Sequence, residues 1–71
     1  MASTIDAVMA GTVFKIEVKV GDTIDFGDTV AILESMKMEI PIEADGAGVV
    51  KEILVAEGAT VDAGTPILSY K

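Results

Sequence analysis

Few residues of this chain could do chemistry. Its 71 residues include no histidine and no cysteine. The Ser-His and Cys-His nucleophilic arrangements therefore cannot be built from this chain alone, and the usual zinc ligands are absent. The chain also lacks arginine, so its charged side chains are 5 lysines and 12 carboxylates. These are the candidate functional groups that remain. We expect no catalytic residue in the chain.

Among the carboxylates, Asp22, Asp25 and Asp28 are evenly spaced and invite a calcium interpretation. An EF-hand loop places its early ligands at alternate positions and ends on a glutamate at its twelfth position. Here every third residue is acidic, and the twelfth position counted from Asp22 is Leu33. The spacing predicts carboxylates that lie in turns, and no metal site.

Among the lysines, Lys37 stands apart because it lies between Met36 and Met38. It could be an ordinary exposed loop lysine, with the methionines folded back over the end of the core. Alternatively, its amine is presented to a partner, or carries an attached group, and the apolar neighbours are contacted as well. The choice depends on the elements that position this lysine.

The composition indicates one small folded domain over residues 1–71. Hydrophobic residues make up 51% of the chain, more than disordered chains contain. The net charge of −7 without arginine argues against nucleic acid and anionic membranes as partners. The longest apolar run, Val30–Leu33, is far shorter than the roughly 20 residues of a membrane span. No signal peptide is visible, so we expect a cytoplasmic protein that is monomeric when isolated.

The clearest period along the chain is two, which is typical of β-strands. No helical period is sustained, and 7 glycines interrupt the chain. The alternation from residue 12 to residue 20 predicts a half-buried strand with one apolar face, formed by Thr12, Phe14, Ile16, Val18 and Val20. These features predict an all-β sandwich or barrel.

The sequence also contains an internal repeat. A shift of 37 residues aligns residues 5–34 with residues 42–71 without a gap, and eleven of the thirty positions are identical. Two copies predict a pseudo-two-fold domain in which each half contributes equivalent strands to one core. We interpret the repeated glycines as turn positions with positive φ, since the alternative, a phosphate cradle, requires a loop that opens a helix.

The repeat leaves residues 35–41 unduplicated, and this segment joins the two copies. We predict a hairpin here, preceded by a strand from Thr29 to Glu34. Pro41 is predicted on an edge or at a bulge, because proline has no N–H for a ladder hydrogen bond. Tight hairpins ordinarily use Asn-Gly or Asp-Gly, whereas this one offers a lysine between two methionines. The departure favours a functional role for Lys37.

At this point the residues resemble a known family. The run Glu34-Ser35-Met36-Lys37-Met38 is similar to the biotin-attachment signature of biotinyl domains, the biotin carboxyl carrier family. The resemblance extends over nearly the whole chain, including residues 10–13, 20–24, 27–30, 42–46 and 48–50. Ser35 stands where alanine is commoner, and the chain lacks the inserted "thumb" of some carriers. It therefore resembles the thumbless type, such as small biotin/lipoyl attachment proteins.

The resemblance implies a fold and a site. The implied fold is a flattened β-barrel or sandwich of two four-stranded antiparallel sheets with quasi-two-fold symmetry, called a barrel-sandwich hybrid. Lys37 would carry biotin through an amide on its ε-amine, with Met36 and Met38 as flanking signature residues. Glu34 matches a position associated with recognition by the biotin protein ligase.

The resemblance also implies a function. The chain would shuttle carboxybiotin between a biotin carboxylase and a carboxyltransferase or decarboxylase. A lysine amine is protonated at neutral pH, and the chain offers no evident base, so the biotin protein ligase must supply the activation. We expect no autonomous enzyme activity, because the partners would perform the catalysis.

There are three alternatives to a biotin carrier. A lipoyl carrier, or a carrier of both groups, would use the same hairpin, although lipoyl lysines usually lie between an aspartate and a small residue. A plain acidic interaction module would use the charged faces or the methionines without any prosthetic group. A third class, an autonomous enzyme, would turn over substrate without partners.

Overall fold

The structure, a computed structural model, describes residues 3–71, which form eight β-strands in two four-stranded sheets. One sheet has the strand order β1-β8-β6-β3 and the other β5-β4-β2-β7, and every pairing is antiparallel. The predicted all-β fold is therefore confirmed. The strands are β1 (Ser3–Asp6), β2 (Gly11–Ile16), β3 (Thr23–Ile24), β4 (Thr29–Ser35), β5 (Met38–Glu43), β6 (Gly48–Ile53), β7 (Thr60–Val61) and β8 (Pro66–Tyr70).

The buried core of residues 3–71 follows the repeat. Strands β2 and β6 begin and end 37 residues apart, as do β3 and β7. The buried hydrophobic residues also form seven pairs of repeat equivalents, 37 positions apart in sequence. Each half therefore supplies an equal number of residues to one core. The pairs are Ile5 with Ile42, Ala7 with Ala44, Val13 with Val50, Ile24 with Val61, Val30 with Ile67, Ala31 with Leu68, and Leu33 with Tyr70.

The connections interleave the two copies. After each strand the chain crosses to the other sheet, with one exception, the step from β4 to β5. Within residues 3–71, these are therefore the only consecutive strands that pair with each other. β5 lies at the edge of its sheet, which places Pro41 at an edge as predicted.

Four of the six repeated glycines form turns, whereas Gly11 and Gly48 begin β2 and β6 without positive φ, so the predicted turn role was wrong for these two. Gly21 and Gly58 have φ of 95° and 92°, and Gly27 and Gly64 both have φ of 88°, a region that favours glycine. The N–H of Gly21 donates to the Val50 carbonyl at 2.8 Å, and the other three N–H groups also donate to carbonyls of the opposite copy. Because these donors are already occupied, the glycines do not form a phosphate cradle.

The carboxylates of Asp22 and Asp28 serve these turns. The Asp22 carboxylate accepts the N–H of Lys19, and the Asp28 carboxylate accepts the N–H of Asp25, both at 2.9 Å. The predicted turn role therefore applies to both. Within residues 3–71, no group of three or more acidic residues is arranged to hold a metal ion. No helix in this part of the chain is long and apolar enough to cross a membrane.

One strand differs from its prediction. β2 ends at Ile16, and its pairing with β4 shifts between Val13, which faces Leu33, and Lys15, which faces Ile32. Such a β-bulge inserts one extra residue and changes which side chains face the core. Val13 is therefore buried, Phe14 is 50% exposed, and Thr12 and Val20 are also exposed, so the predicted apolar face was wrong for these residues.

The same irregularity recurs in the second copy, between Val50 and Glu52. Lys51 there is the repeat equivalent of Phe14, and it is exposed. A lysine at the equivalent position was therefore a signal, present in the sequence, that Phe14 faces outward.

Candidate functional site

Lys37 lies at the tip of the β4–β5 hairpin. Ser35 and Met38 form its last pair, so the loop consists of Met36 and Lys37 alone. Both have positive φ, 52° and 65°, and are the only non-glycine residues among residues 3–71 that do. A two-residue loop with positive φ at both positions is the pattern of a type I′ turn, which favours Asn-Gly. This conformation costs an ordinary residue roughly 1–2 kcal/mol.

The strands beneath the turn hold it in this conformation. Leu33 of β4 is fully buried and faces the partly buried Ile40 of β5. Two pairs further along, Ala31 faces the buried Ile42. The hairpin is therefore anchored in the core by side chains from both strands, while its two-residue tip extends beyond it.

The side chains of the tip are open to solvent. Met36 is 91% exposed and Met38 is 63% exposed, and Lys37 is exposed between them. The methionines therefore do not fold back over the core. The one ion pair within residues 3–71 joins Lys15 to Glu17 at 3.8 Å, so the Lys37 amine is unpaired there. The surface of this part of the chain has no pocket.

The structure brings the four predicted site residues together. Met36 and Lys37 form the turn, Met38 begins β5, and Glu34 is the penultimate residue of β4. Glu34 is exposed, and it pairs directly with Glu39 on β5. The arrangement offers a solvent-exposed amine that is accessible for acylation.

Beyond the far end of the hairpin, where Glu43 pairs with Thr29, lies a polar pair that the sequence did not indicate. The Tyr70 hydroxyl donates to Asp45 Oδ1 at 2.8 Å. This hydrogen bond raises the pKa of Tyr70 above its ordinary value of 10.0, and burial and the negative charge of Asp45 raise it further. A Cβ on Gly46 would lie 2.7 Å from the Tyr70 hydroxyl oxygen, so the loop passes directly over this ring.

Comparison with known proteins agrees with this geometry. A family model described as "Biotin-requiring enzyme", a biotin/lipoyl domain, matches residues 1–69. The chain belongs to this family. The resemblance inferred from the signature around Lys37 is therefore confirmed, and biotin is the prosthetic group that the family requires.

Three known proteins illustrate the similarity. The biotin/lipoyl attachment protein of Bacillus subtilis is 54% identical over 92% of this chain and 89% of its own length. The biotin carboxyl carrier protein of Streptococcus mutans is 46% identical over 96% of this chain, which spans 52% of that protein. The crystal structure of Kluyveromyces lactis urea carboxylase matches all of this chain, and 6% of that protein, with a TM-score of 0.92 and 32% identity.

These relatives confirm the barrel-sandwich fold and indicate what kind of unit it is. The two sequence relatives are named as attachment or carrier proteins, and the urea carboxylase contains the same fold as a small part of a much longer chain. The similar proteins are thus carriers or carrier-sized portions of carboxylases, which agrees with the expectation of no autonomous enzyme activity.

Proposed function

We propose that this protein is a biotin carrier and that biotin is joined by an amide to Nζ of Lys37. The observation that carries the proposal is the position of Lys37 at the tip of the only hairpin that consecutive strands form within residues 3–71. A lysine that must enter the active sites of several partners needs access without obstruction. The exposed two-residue tip provides that access.

The residues present fit biotin as a covalently attached group. The attachment needs one free amine and no enclosing cavity, and the tip supplies a lysine that is unpaired within residues 3–71, on a surface where these residues form no pocket. Biotin, when attached, accepts a carboxyl group at one enzyme site and releases it at another. The chain's own contribution is to hold the attachment point rigidly, through Leu33 and the strained turn, so that the tethered group stays at high local concentration.

The partners follow from this chemistry. A biotin protein ligase would use ATP to convert the carboxyl group of biotin into an acyl adenylate. The neutral Lys37 amine would then attack the acyl carbon, lose a proton and displace AMP as the amide forms. A biotin carboxylase would add the carboxyl group, and a carboxyltransferase or decarboxylase would remove it. Any of these enzymes must approach over Met36 and Met38, and we propose that the ligase also contacts Glu34. The monomeric state and the cytoplasmic location stay predictions.

A labelling experiment tests the attachment. Incubation with biotin, ATP and a biotin protein ligase should add one biotinyl group to each wild-type molecule, measured by intact mass. Lys37→Arg should accept none, whereas Lys51→Arg, at an exposed strand lysine, should be labelled like wild type. An unlabelled wild type, or equal labelling of Lys37→Arg, would contradict the proposal.

A lipoyl carrier is the second candidate, because the Bacillus subtilis relative is named for both groups. The same exposed turn would present a lysine to a lipoate ligase equally well. Parallel incubation with lipoate, ATP and a lipoate ligase distinguishes the two by the added mass. If neither ligase labels the protein, the remaining candidate is an acidic interaction module without a prosthetic group.

A further inference from the structure

Gly11, the first residue of β2, lies against the end of the strand that leads into the lysine turn. A Cβ at this position would lie 2.9 Å from the Glu34 carbonyl oxygen and 3.5 Å from the Ser35 Cβ. Gly11 does not have the positive φ that makes glycine necessary in the turns. Glycine is required here for a steric reason, because β2 passes too close to β4 to leave room for a side chain.

The obstructing atom has little freedom to move. Glu34 is paired with Thr12 of β2 on one side and with Glu39 of β5 on the other. Its carbonyl oxygen belongs to the backbone, so a flexible side chain cannot relieve the contact. Only one residue, Ser35, separates it from the turn. A side chain at residue 11 would therefore displace the last pair of the hairpin, Ser35 with Met38, and the two residues between them.

From this contact we infer that Gly11 is a positioning residue for Lys37, setting the direction in which the hairpin presents the amine. The inference rests on the proposed attachment at Lys37. Productive transfer requires the amine and the activated carboxyl group to be aligned, and a displacement of 1 Å can reduce such rates by about 10²-fold. A shift of a few tenths of an ångström at Glu34 and Ser35, next to the turn, should then slow acylation by about tenfold.

The repeat supplies a matched control at Gly48. A Cβ there would lie 2.8 Å from Tyr70 Cδ2 and 2.9 Å from the Lys71 carbonyl oxygen, a conflict as severe as the one at Gly11. Gly48 is separated from the turn by the length of β5, which leads away from the turn to Glu43, paired with Thr29, before β6 begins. Alanine at this position should disturb packing to a similar degree without moving Lys37.

The experiment compares Gly11→Ala with Gly48→Ala. The rate of biotinylation by the ligase is measured per folded molecule, with urea unfolding giving the folded fraction of each variant. We expect kcat/KM to fall about tenfold for Gly11→Ala and to stay within about twofold of wild type for Gly48→Ala. If either variant is partly unfolded, sucrose restores the folded fraction, because it is excluded from protein surfaces.

A second measurement does not depend on labelling. The amide NMR signals of Ser35, Met36, Lys37 and Met38 should shift in Gly11→Ala and stay unchanged in Gly48→Ala. Equal labelling rates per folded molecule, or unshifted amide signals in Gly11→Ala, would overturn the positioning role. If the attachment proposal were wrong, the wild type itself would remain unlabelled. The NMR comparison of Gly11→Ala with Gly48→Ala would still test whether Gly11 positions the turn.

Discussion

Glu34 and Glu39 face each other directly across the two strands that lead into the Lys37 turn. Both side chains are exposed, and like charges in directly opposed positions destabilise a strand pair. The hairpin thus combines a repulsive pair close to its turn with positive φ at both turn residues. Its conformation is imposed by the buried strands below rather than favoured by its own residues.

Neutralising one member of this pair should stabilise the protein. We expect Glu39→Gln to raise the free energy of unfolding by roughly 0.2–1 kcal/mol at low salt, measured by urea unfolding. The gain should shrink as ionic strength rises, because salt screens exposed charges. Glu52→Gln is the control for the overall charge of −7, since Glu52 faces the uncharged Ser69. An equal gain in both variants would show that the cross-strand repulsion is negligible.

The turn conformation leads to a second prediction. Asparagine tolerates positive φ better than methionine, and Met36 is 91% exposed, so Met36→Asn sacrifices little apolar burial. We expect it to raise the free energy of unfolding by up to about 1 kcal/mol. Met38→Asn is the control, because Met38 lies in β5 without positive φ and should gain nothing. Thermal unfolding of the two variants provides the comparison.

A third prediction concerns pH. The raised pKa of Tyr70 means that the unfolded chain loses this proton near pH 10.0 while the folded chain still retains it. The stability contributed by the protonated hydroxyl is therefore complete below pH 10.0 and is lost as pH rises through the pKa of the folded state. Tyr70→Phe should flatten this alkaline decline, which urea unfolding at increasing pH would measure.

Titration of the hydroxyl gives a direct check, because Tyr70 is the chain's only tyrosine. Its tyrosinate absorbance should appear above pH 10.0 in the folded protein, and Asp45→Asn should move it back toward that value, since the Asp45 hydrogen bond is the main cause of the shift. Titration of the folded wild type at or below pH 10.0 would contradict the geometry of this pair.

The bulge in β2 yields a fourth prediction. Val13→Ala removes two methyl groups from a site that is 1% exposed, and should lower the free energy of unfolding by about 2 kcal/mol. Phe14→Lys, which copies the residue at the equivalent position 51, should lower it by no more than about 1 kcal/mol. If Phe14 faced the core and Val13 faced solvent, as simple alternation along the strand predicts, Phe14→Lys would lower the free energy of unfolding more than Val13→Ala.

Much of the fold could be predicted from the sequence because the repeat doubles the evidence. Each turn glycine has an equivalent 37 residues away, and the two-residue period marks the strands in both copies. The edge position of Pro41 could also be predicted, because a missing N–H excludes a central strand. The family could be predicted as well, because the signature around Lys37 is a run of adjacent residues that does not depend on distant contacts.

Other features could not be predicted because they depend on contacts between distant residues. The bulge at Phe14 breaks the alternation on which the strand prediction rested, and only the equivalent Lys51 hinted at it. The hydrogen bond from Tyr70 to Asp45 joins residues 25 apart in sequence, and no local pattern announces it. The closeness of Gly11 to Glu34 likewise follows from how β2 and β4 pair, which the sequence does not state.

The pairing of Ser3 with Tyr70 is the repeat equivalent of the pairing of Ile40 with Leu33 beneath the lysine turn. The two pairs differ in covalent connectivity within residues 3–71, since a two-residue turn follows Leu33 and Ile40 two pairs further on, whereas Ser3 and Tyr70 belong to strands far apart in sequence. A circular permutant of these residues that linked Lys71 to Ser3 and broke the chain before Met36 would keep every core pair. Lys37 would then be the second residue of a loose terminus, and its amine would no longer point in a fixed direction. The continuous turn therefore fixes the direction of the amine and is not needed to hold the core together.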